Sequence, residues 1–338
     1  MMFIKRNKIC FIYVLLLLCF LPVLTACNRA VYNNPKNSTE EKTFEFNSFG
    51  EDAYNYVKYF QNNLNERIAG TTAEKKSADY LISVLKKAGY KDSQIEIQSF
   101  NSPTSQNIIV TKQGSNDRII AVGAHYDSVN THGIEDNASG VSVVLSTAIR
   151  QVHTTLPYTT KFIFFGAEEV GFAGSAYYVN SLTSNDIKKI GLMINIDSIM
   201  TGDKAYLYGG SVKEDGTIVD TWAVEKAKAM ADKLSLKTYF RPDYYNNEQR
   251  IPSPVAKDSS DHASFKNIGI PYIYFASGNY DQVGQDKSMG NNTFKEVLHT
   301  PNDNLDILDK VLGKHMPQML QTYSLLLHYL LLDKELIK

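Results

Sequence analysis

Residues 162–165 read Phe-Ile-Phe-Phe, and after Gly166 and Ala167 the chain turns to two adjacent carboxylates, Glu168 and Glu169. An unbroken apolar run of this kind suits a strand covered on both faces. It therefore delivers the carboxylates to the edge of a buried sheet, where their desolvation is costly unless a cation waits there. His125, Asp127 and Asp136 precede the pair, and Asp197 and His299 follow it. One chain thus supplies enough imidazole and carboxylate for two hard-to-borderline metal ions.

The same design, an apolar run ending at a polar residue, recurs along the chain. Residues 161–166, 192–196, 205–208 and 270–275 are near-continuous apolar segments expected to be buried strands, and 94–100, 107–112 and 118–123 are shorter β-rich runs. Amphipathic spacing predicts helices over 52–64 and 72–88, the second capped by Gly89. Further helical patterns cover 140–151, 221–234 and a final stretch to Leu332 that starts near Pro317. Alternating strands and helices predict a three-layer α/β/α sandwich with a mixed, largely parallel central sheet, the closely spaced opening runs forming its antiparallel part. In such sheets ligands gather at the carboxyl ends of strands. His125, Glu168, Glu169 and Asp197 all fall just past expected strands, so the fold predicts that they converge.

The N-terminus reads differently. Lys5, Arg6 and Lys8 precede an apolar run over 9–24, the pattern of a secretion signal spanning 1–26. Its end, Leu24-Thr25-Ala26-Cys27, resembles the lipobox of bacterial lipoproteins, which implies fatty acylation of Cys27 and an extracytoplasmic chain anchored to the cell membrane. An uncleaved membrane anchor is the alternative, although the run is short for a span of about 20 residues. Residues 27–48 are polar and are expected to be a disordered tether, and 49–338 are expected to form one catalytic domain. Cys10 and Cys19 lie inside the signal, which leaves no disulfide framework and no thiolate zinc site. A formal charge of −1 with scattered Lys and Arg excludes nucleic acid as a partner.

Each candidate residue has an ordinary reading beside the chemical one. His125-Tyr126-Asp127 lets a carboxylate orient an imidazole whose other nitrogen meets a metal; an isolated hydrogen-bonded pair would look the same. Asp136, in Asp136-Asn137-Ala138-Ser139-Gly140, leads into a helix and would serve equally as an N-cap. Glu168 and Glu169 sit on one turn, so one can bind metal while the other stands over a water. Asp197 ends an apolar run as the glutamates do. His299 has Asp303 near enough to be its outer partner, and Asp261 and His262, in Ser260-Asp261-His262-Ala263-Ser264-Phe265, are either outer or substrate-side residues or a helix cap. His132, His153, His315 and His328 lack partnered spacing.

Taken in order, His125, Asp136, Glu169, Asp197 and His299, with Glu168 unligated, resemble the co-catalytic zinc aminopeptidases of the aminopeptidase Y and aminopeptidase S type. The likeness begins at Arg67-Ile68-Ala69-Gly70-Thr71 and covers most of the chain. It implies two Zn2+ per chain, with His125 and Asp197 on one, Glu169 and His299 on the other, and Asp136 bridging both. It further implies that Asp127 orients His125, that Glu168 is general base and then general acid, that the Asp136-Asn137 peptide is cis, and that peptides are the substrates. Cobalt or manganese would suit the same donors. Two rivals remain, a single-zinc glutaminyl cyclase on the same sheet and a non-catalytic surface-binding lipoprotein. Loops 237–257, with Tyr239, Phe240, Tyr244 and Tyr245, and 277–295, with Tyr280 and Met289, are expected to wall the pocket for the substrate's first side chain. Plain surface insertions would read alike, and oligomeric state is not legible.

Overall fold

A computed structural model describes residues 49–246, 249–280 and 296–337. The expected signal, tether and Cys27 lie outside the described residues, as do 281–295 with Met289. Among the described residues no helix is long and apolar enough to cross a membrane.

Helices α1 (Phe49–Asn63) and α2 (Thr72–Ala88) come first. The Thr71 hydroxyl caps α2 by accepting the Glu74 N–H, and Gly89 ends it with a φ of 116°, a left-handed conformation that glycine adopts without a Cβ penalty. Strands β1 (Ile95–Phe100), β2 (Ser105–Lys112) and β3 (Asn116–His125) follow, then α3 (Ser139–Gln151), β4 (Tyr158–Phe165), α4 (Ala173–Ser181), α5 (Ser184–Lys189), β5 (Ile190–Ile196) and β6 (Lys204–Gly209). The remainder holds the short pair β7 (Ser211–Val212) and β8 (Ile218–Val219), α6 (Trp222–Lys233), β9 (Thr238–Phe240), the hairpin β10 (Tyr244–Asn246) and β11 (Gln249–Ile251), α7 (His262–Asn267), β12 (Tyr272–Gly278), α8 (Leu305–Leu312) and α9 (His315–Leu332).

Eight strands form one sheet in the order β1-β2-β4-β3-β5-β12-β6-β9. The central strands β4, β3, β5 and β12 run parallel, while β1, β2 and β4 pair antiparallel in turn and β6 runs antiparallel to β12. Alternate side chains of β4 supply the two cores. Phe162 and Phe164 face a layer built from α1, α2, α3, α6, α8 and α9, whereas Ile163 and Phe165 face Tyr178 of α4 and Phe265 of α7. Because both faces are covered, the period-two pattern is hidden in an all-apolar run. Each large side chain so buried contributes roughly 1.5–3 kcal/mol.

Two boundaries have a simple cause. Pro271 has no N–H for the ladder, and β12 begins at Tyr272 rather than Ile270. Pro317 falls in the first turn of α9, where the missing donor is no loss. Helices α5 and α8 are not evident in the sequence; both are short, and each is started by a polar cap, Thr183 and Asn304 respectively.

Candidate metal centre

Three neighbouring strands of the parallel core end at the same edge. His125 is the last residue of β3, Glu168 and Glu169 follow β4, and Asp197 follows β5. Ala167, with φ of 55°, turns the chain so that both glutamates leave the strand together. Asp136 reaches the group from the turn before α3, and His299 reaches it from the segment before α8.

The side chains meet at this edge. The Nε2 of His125 lies 3.1 Å from Asp136 Oδ1 and 3.4 Å from Asp197 Oδ1. On the other side, His299 Nε2 lies 3.1 Å from both Asp136 Oδ2 and Glu169 Oε2. Asp136 thus offers one oxygen to each histidine. Two donor groups result, His125 with Asp136 and Asp197, and Asp136 with Glu169 and His299, the ligand atoms of each lying within 4.8 Å of one another. By distance alone His125, Glu168 and Glu169 form a third. Glu168 Oε2 is 4.0 Å from His125 Nε2, however, farther than either aspartate.

Charge makes the same point. Burial opposes a charged His125, yet Glu168, Asp197, Asp127 and Asp136 together push its pKa well above the ordinary value. Burial would raise Asp136, but His125 and His299 outweigh it and hold the carboxyl far below the usual range. Hydrogen bonding to Asp136 and then Glu169 lifts His299 to about 10. So much buried carboxylate calls for concentrated positive charge. A metal ion fits the donors, because both ring nitrogens of His125 and the Oε1 of Glu169 are buried without a hydrogen-bond partner among the described residues. His125 and its neighbours are close yet not aligned as donor and acceptor, as expected of ligands arranged around a shared centre.

A second layer holds this arrangement. The Asp127 carboxylate accepts the backbone N–H of Glu168 at 3.0 Å and of Glu169 at 3.1 Å, and stands 3.5 Å from His125 Nδ1. Its clearest role is therefore to hold the dicarboxylate turn as well as to face the imidazole. Asn137 donates to the Ile196 carbonyl and accepts from Gly140 and Ser198, which ties the Asp136 turn to the end of β5. Gly140 is required there, since a Cβ would lie 2.3 Å from the Ile196 carbonyl oxygen. The Asp136-Asn137 peptide is cis. Glu135 belongs to none of the donor groups among the described residues and accepts from Met200, Thr201 and Ser277.

Asp303 corrects an expectation. It does not partner His299; its carboxylate accepts the N–H of Glu135 at 2.6 Å and of Asp136 at 3.2 Å, so it anchors the opposite loop. Asp261 occupies the cap position of α7 but makes no capping bond. Its carboxylate is buried beside the centre, and burial raises its pKa to about 7 despite the opposing effect of His125. His262 stays outside the donor groups. It stacks on Tyr274 and lies tilted against Tyr272, its Nε2 lies 3.0 Å from the Lys257 carbonyl oxygen, and burial lowers its pKa to about 4. None of His132, His153, His315 and His328 joins a donor group among the described residues. Arg67, Glu74, Glu135 and Asn137 were not singled out by sequence reasoning as parts of the site, although Arg67 opens the block Arg67-Ile68-Ala69-Gly70-Thr71.

A cavity of about 510 Å3 opens beside the donors. Asp136, Glu168, Glu169, Asp197 and His299 border it on one side. Phe172, Tyr208 and Tyr274 border it too, together with Arg241, Ala256 and Lys257 from the 237–257 segment and Tyr280 from the 277–295 segment.

Residues 107–323 match the model of peptidase family M28. This chain belongs to that family. Among its M28 relatives, aminopeptidase YwaD of Bacillus subtilis is 30% identical over 226 residues, 65% of this chain and 44% of YwaD. The probable lipoprotein aminopeptidase LpqL of Mycobacterium tuberculosis is 40% identical over 112 residues, 32% of this chain and 22% of LpqL. The chain spans less than half the length of these relatives. In fold it resembles BSAP, a zinc aminopeptidase from Bacillus subtilis, with a TM-score of 0.67 at 20% identity over 86% of this chain and 97% of that one. It also resembles a glutaminyl cyclase from an Acidobacteriales bacterium, with a TM-score of 0.62 at 17% identity over 89% and 99%. The M28 fold alone therefore does not choose between these chemistries.

Proposed function

We propose that this chain is a metallo-aminopeptidase that removes N-terminal residues from peptides with two zinc ions, and that it works outside the cytoplasm on a lipid anchor at Cys27. The carrying observation is the position of Asp136, one oxygen toward His125 and the other toward His299, each at 3.1 Å. A carboxylate so shared suits two cations, where a cyclase would need one. In this reading His125 and Asp197 hold one zinc, Glu169 and His299 the other, and Asp136 both. Mixed imidazole and carboxylate donors are those zinc accepts. Membership of the M28 family and the names of the relatives support the activity, and the lipoprotein named among them supports the anchor.

When bound, the metal pair lowers the pKa of a water and polarises the scissile carbonyl. Glu168 stands at the cavity wall, where its carboxylate would take a proton from an attacking water and return it to the departing amine. Asp127 keeps Glu168 and Glu169 in register through their backbone amides. The aromatic wall formed by Phe172, Tyr208 and Tyr274 receives the first side chain of the peptide, with Arg241, Ala256, Lys257 and Tyr280 completing it among the described residues.

Metal counting and a peptidase assay test the proposal together. The purified protein is expected to contain two zinc ions and to hydrolyse aminoacyl nitroanilides until a chelator is added. One zinc per chain with cyclisation of N-terminal glutamine would favour the cyclase instead. Two zinc ions without turnover on any nitroanilide or peptide would indicate a non-catalytic binding protein.

A further inference from the structure

Arg67 and Glu74 lie ahead of the span that matches the family model, yet both reach the backbone that carries the donor residues. Arg67 is fully buried. Its Nε donates to the Tyr126 carbonyl at 2.6 Å, Nη1 to the His132 carbonyl at 2.7 Å and Nη2 to the Gly133 carbonyl at 2.8 Å. Its backbone N–H donates to Ser128 Oγ, and its carbonyl accepts the Ser128 N–H. One guanidinium therefore spans both ends of the loop 126–133, which joins His125 to the Asp136 turn. The loop closes directly on it, since a Cβ at Gly133 would lie 2.8 Å from Arg67 Nη2.

Glu74 does the same for the other turn. It is 2% exposed, and its carboxylate accepts the Ser105 hydroxyl at 2.5 Å, the Gly70 N–H at 2.6 Å and the Ala167 N–H at 3.1 Å. Ala167 is the left-handed residue that aims Glu168 and Glu169. Gly166 is packed against the same group, as a Cβ there would lie 2.3 Å from Ser105 Oγ and 3.0 Å from Glu74 Oε1. The Glu74 bond to Gly70 ties the carboxylate back toward the segment that bears Arg67.

We infer that Arg67 and Glu74 are a linked pair of positioning residues: Arg67 sets the loop that leads from His125 to Asp136, Glu74 sets the turn of Glu168 and Glu169, and the short segment between them fixes the spacing of the two donor groups. The chemistry of this inference rests on the two-metal reading above. Among the described residues neither borders the cavity, and neither bonds a donor side chain, so the effect is transmitted through backbone. Conservative replacements cannot reproduce it. A lysine presents one ammonium where a planar fork meets four carbonyls, those of Asn65, Tyr126, His132 and Gly133. A glutamine keeps one acceptor oxygen and turns an NH2 toward backbone N–H groups that also donate.

The test compares Glu74→Gln and Arg67→Lys with Thr183→Ala, which weakens α5 by removing its cap and leaves both anchors and the segment between them untouched. Zinc affinity is measured by chelator competition, and ligand geometry by the visible absorption of the cobalt-substituted protein. Glu74→Gln and Arg67→Lys are expected to bind zinc about 10–100-fold more weakly and to shift the cobalt spectrum. Thr183→Ala is expected to melt earlier with wild-type affinity and spectrum. Wild-type metal readouts in the first two variants, or equal changes in all three, would overturn the inference. Should Glu74→Gln not fold, Ser105→Ala removes one donor from the Glu74 carboxylate; a smaller shift in the same direction supports the inference and an unchanged spectrum overturns it. These readouts decide the matter even if the wild-type protein cleaves no peptide, a result that would count against the peptidase reading alone.

Discussion

Replacing Glu168 with Gln is expected to lower kcat by about 10²–10⁴-fold, the range for loss of a positioned general base, while two zinc ions stay bound. The amide keeps the size of the side chain and can still hydrogen-bond, but it cannot take a proton from water or pass one to the leaving amine. Metal retention follows from geometry. Glu168 stands farther from His125 than Asp136 and Asp197 do, and the backbone amides of residues 168 and 169 remain held by Asp127. KM should change little, because the side chain acts on the transition state rather than on uniform binding. Steady-state kinetics beside metal analysis of the same sample check this. Loss of a zinc along with activity would make Glu168 a ligand, and wild-type turnover would remove it from the chemistry altogether.

The second large effect concerns Asp136. Asp136→Ala should release zinc from both sites, whereas His299→Ala should spare the site that contains His125. The difference arises because, among the described residues, only Asp136 lies within 3.1 Å of both histidines. Stability should fall with the metal. Asp197 and Glu168 are left buried with mutual repulsion, Glu169 lies next to Glu168 in the chain, and no cation offsets their charge. If free zinc stands about 1,000-fold above its dissociation constant, each bound ion contributes about 4 kcal/mol, so Asp136→Ala should melt well below His299→Ala. Metal content and thermal melting of the two variants, with and without chelator, make the comparison. Equal metal loss in both would show that Asp136 is not shared.

The parts of this architecture legible in the sequence were those written as contiguous pattern. The runs before Glu168 and Asp197 are buried on both faces, and that double burial is what spells a strand without alternation. His125, Glu168, Glu169 and Asp197 converge because parallel strands end at one edge, a consequence of topology that spacing could reach. What stayed hidden was the layer whose partners are backbone groups. Asp303 sits four residues after His299, and proximity in sequence suggested proximity in space; in the fold its carboxylate turns to the amides of Glu135 and Asp136. Glu135, beside Asp136, accepts instead the amides of Met200 and Thr201. Glu74 reads as an ordinary first-turn acid of α2, and nothing in composition signals that Ala167, 93 positions away, is its partner. Amides carry no side-chain identity, so such contacts leave no motif.

The central claim is that two cations sit on either side of Asp136. Anomalous diffraction at the zinc absorption edge from crystals of the zinc-loaded protein tests it most directly. Two peaks are predicted, one contacted by His125 and Asp197 and the other by Glu169 and His299, each also in contact with an oxygen of Asp136. A single peak, or a pair that leaves Asp136 untouched, would contradict the account.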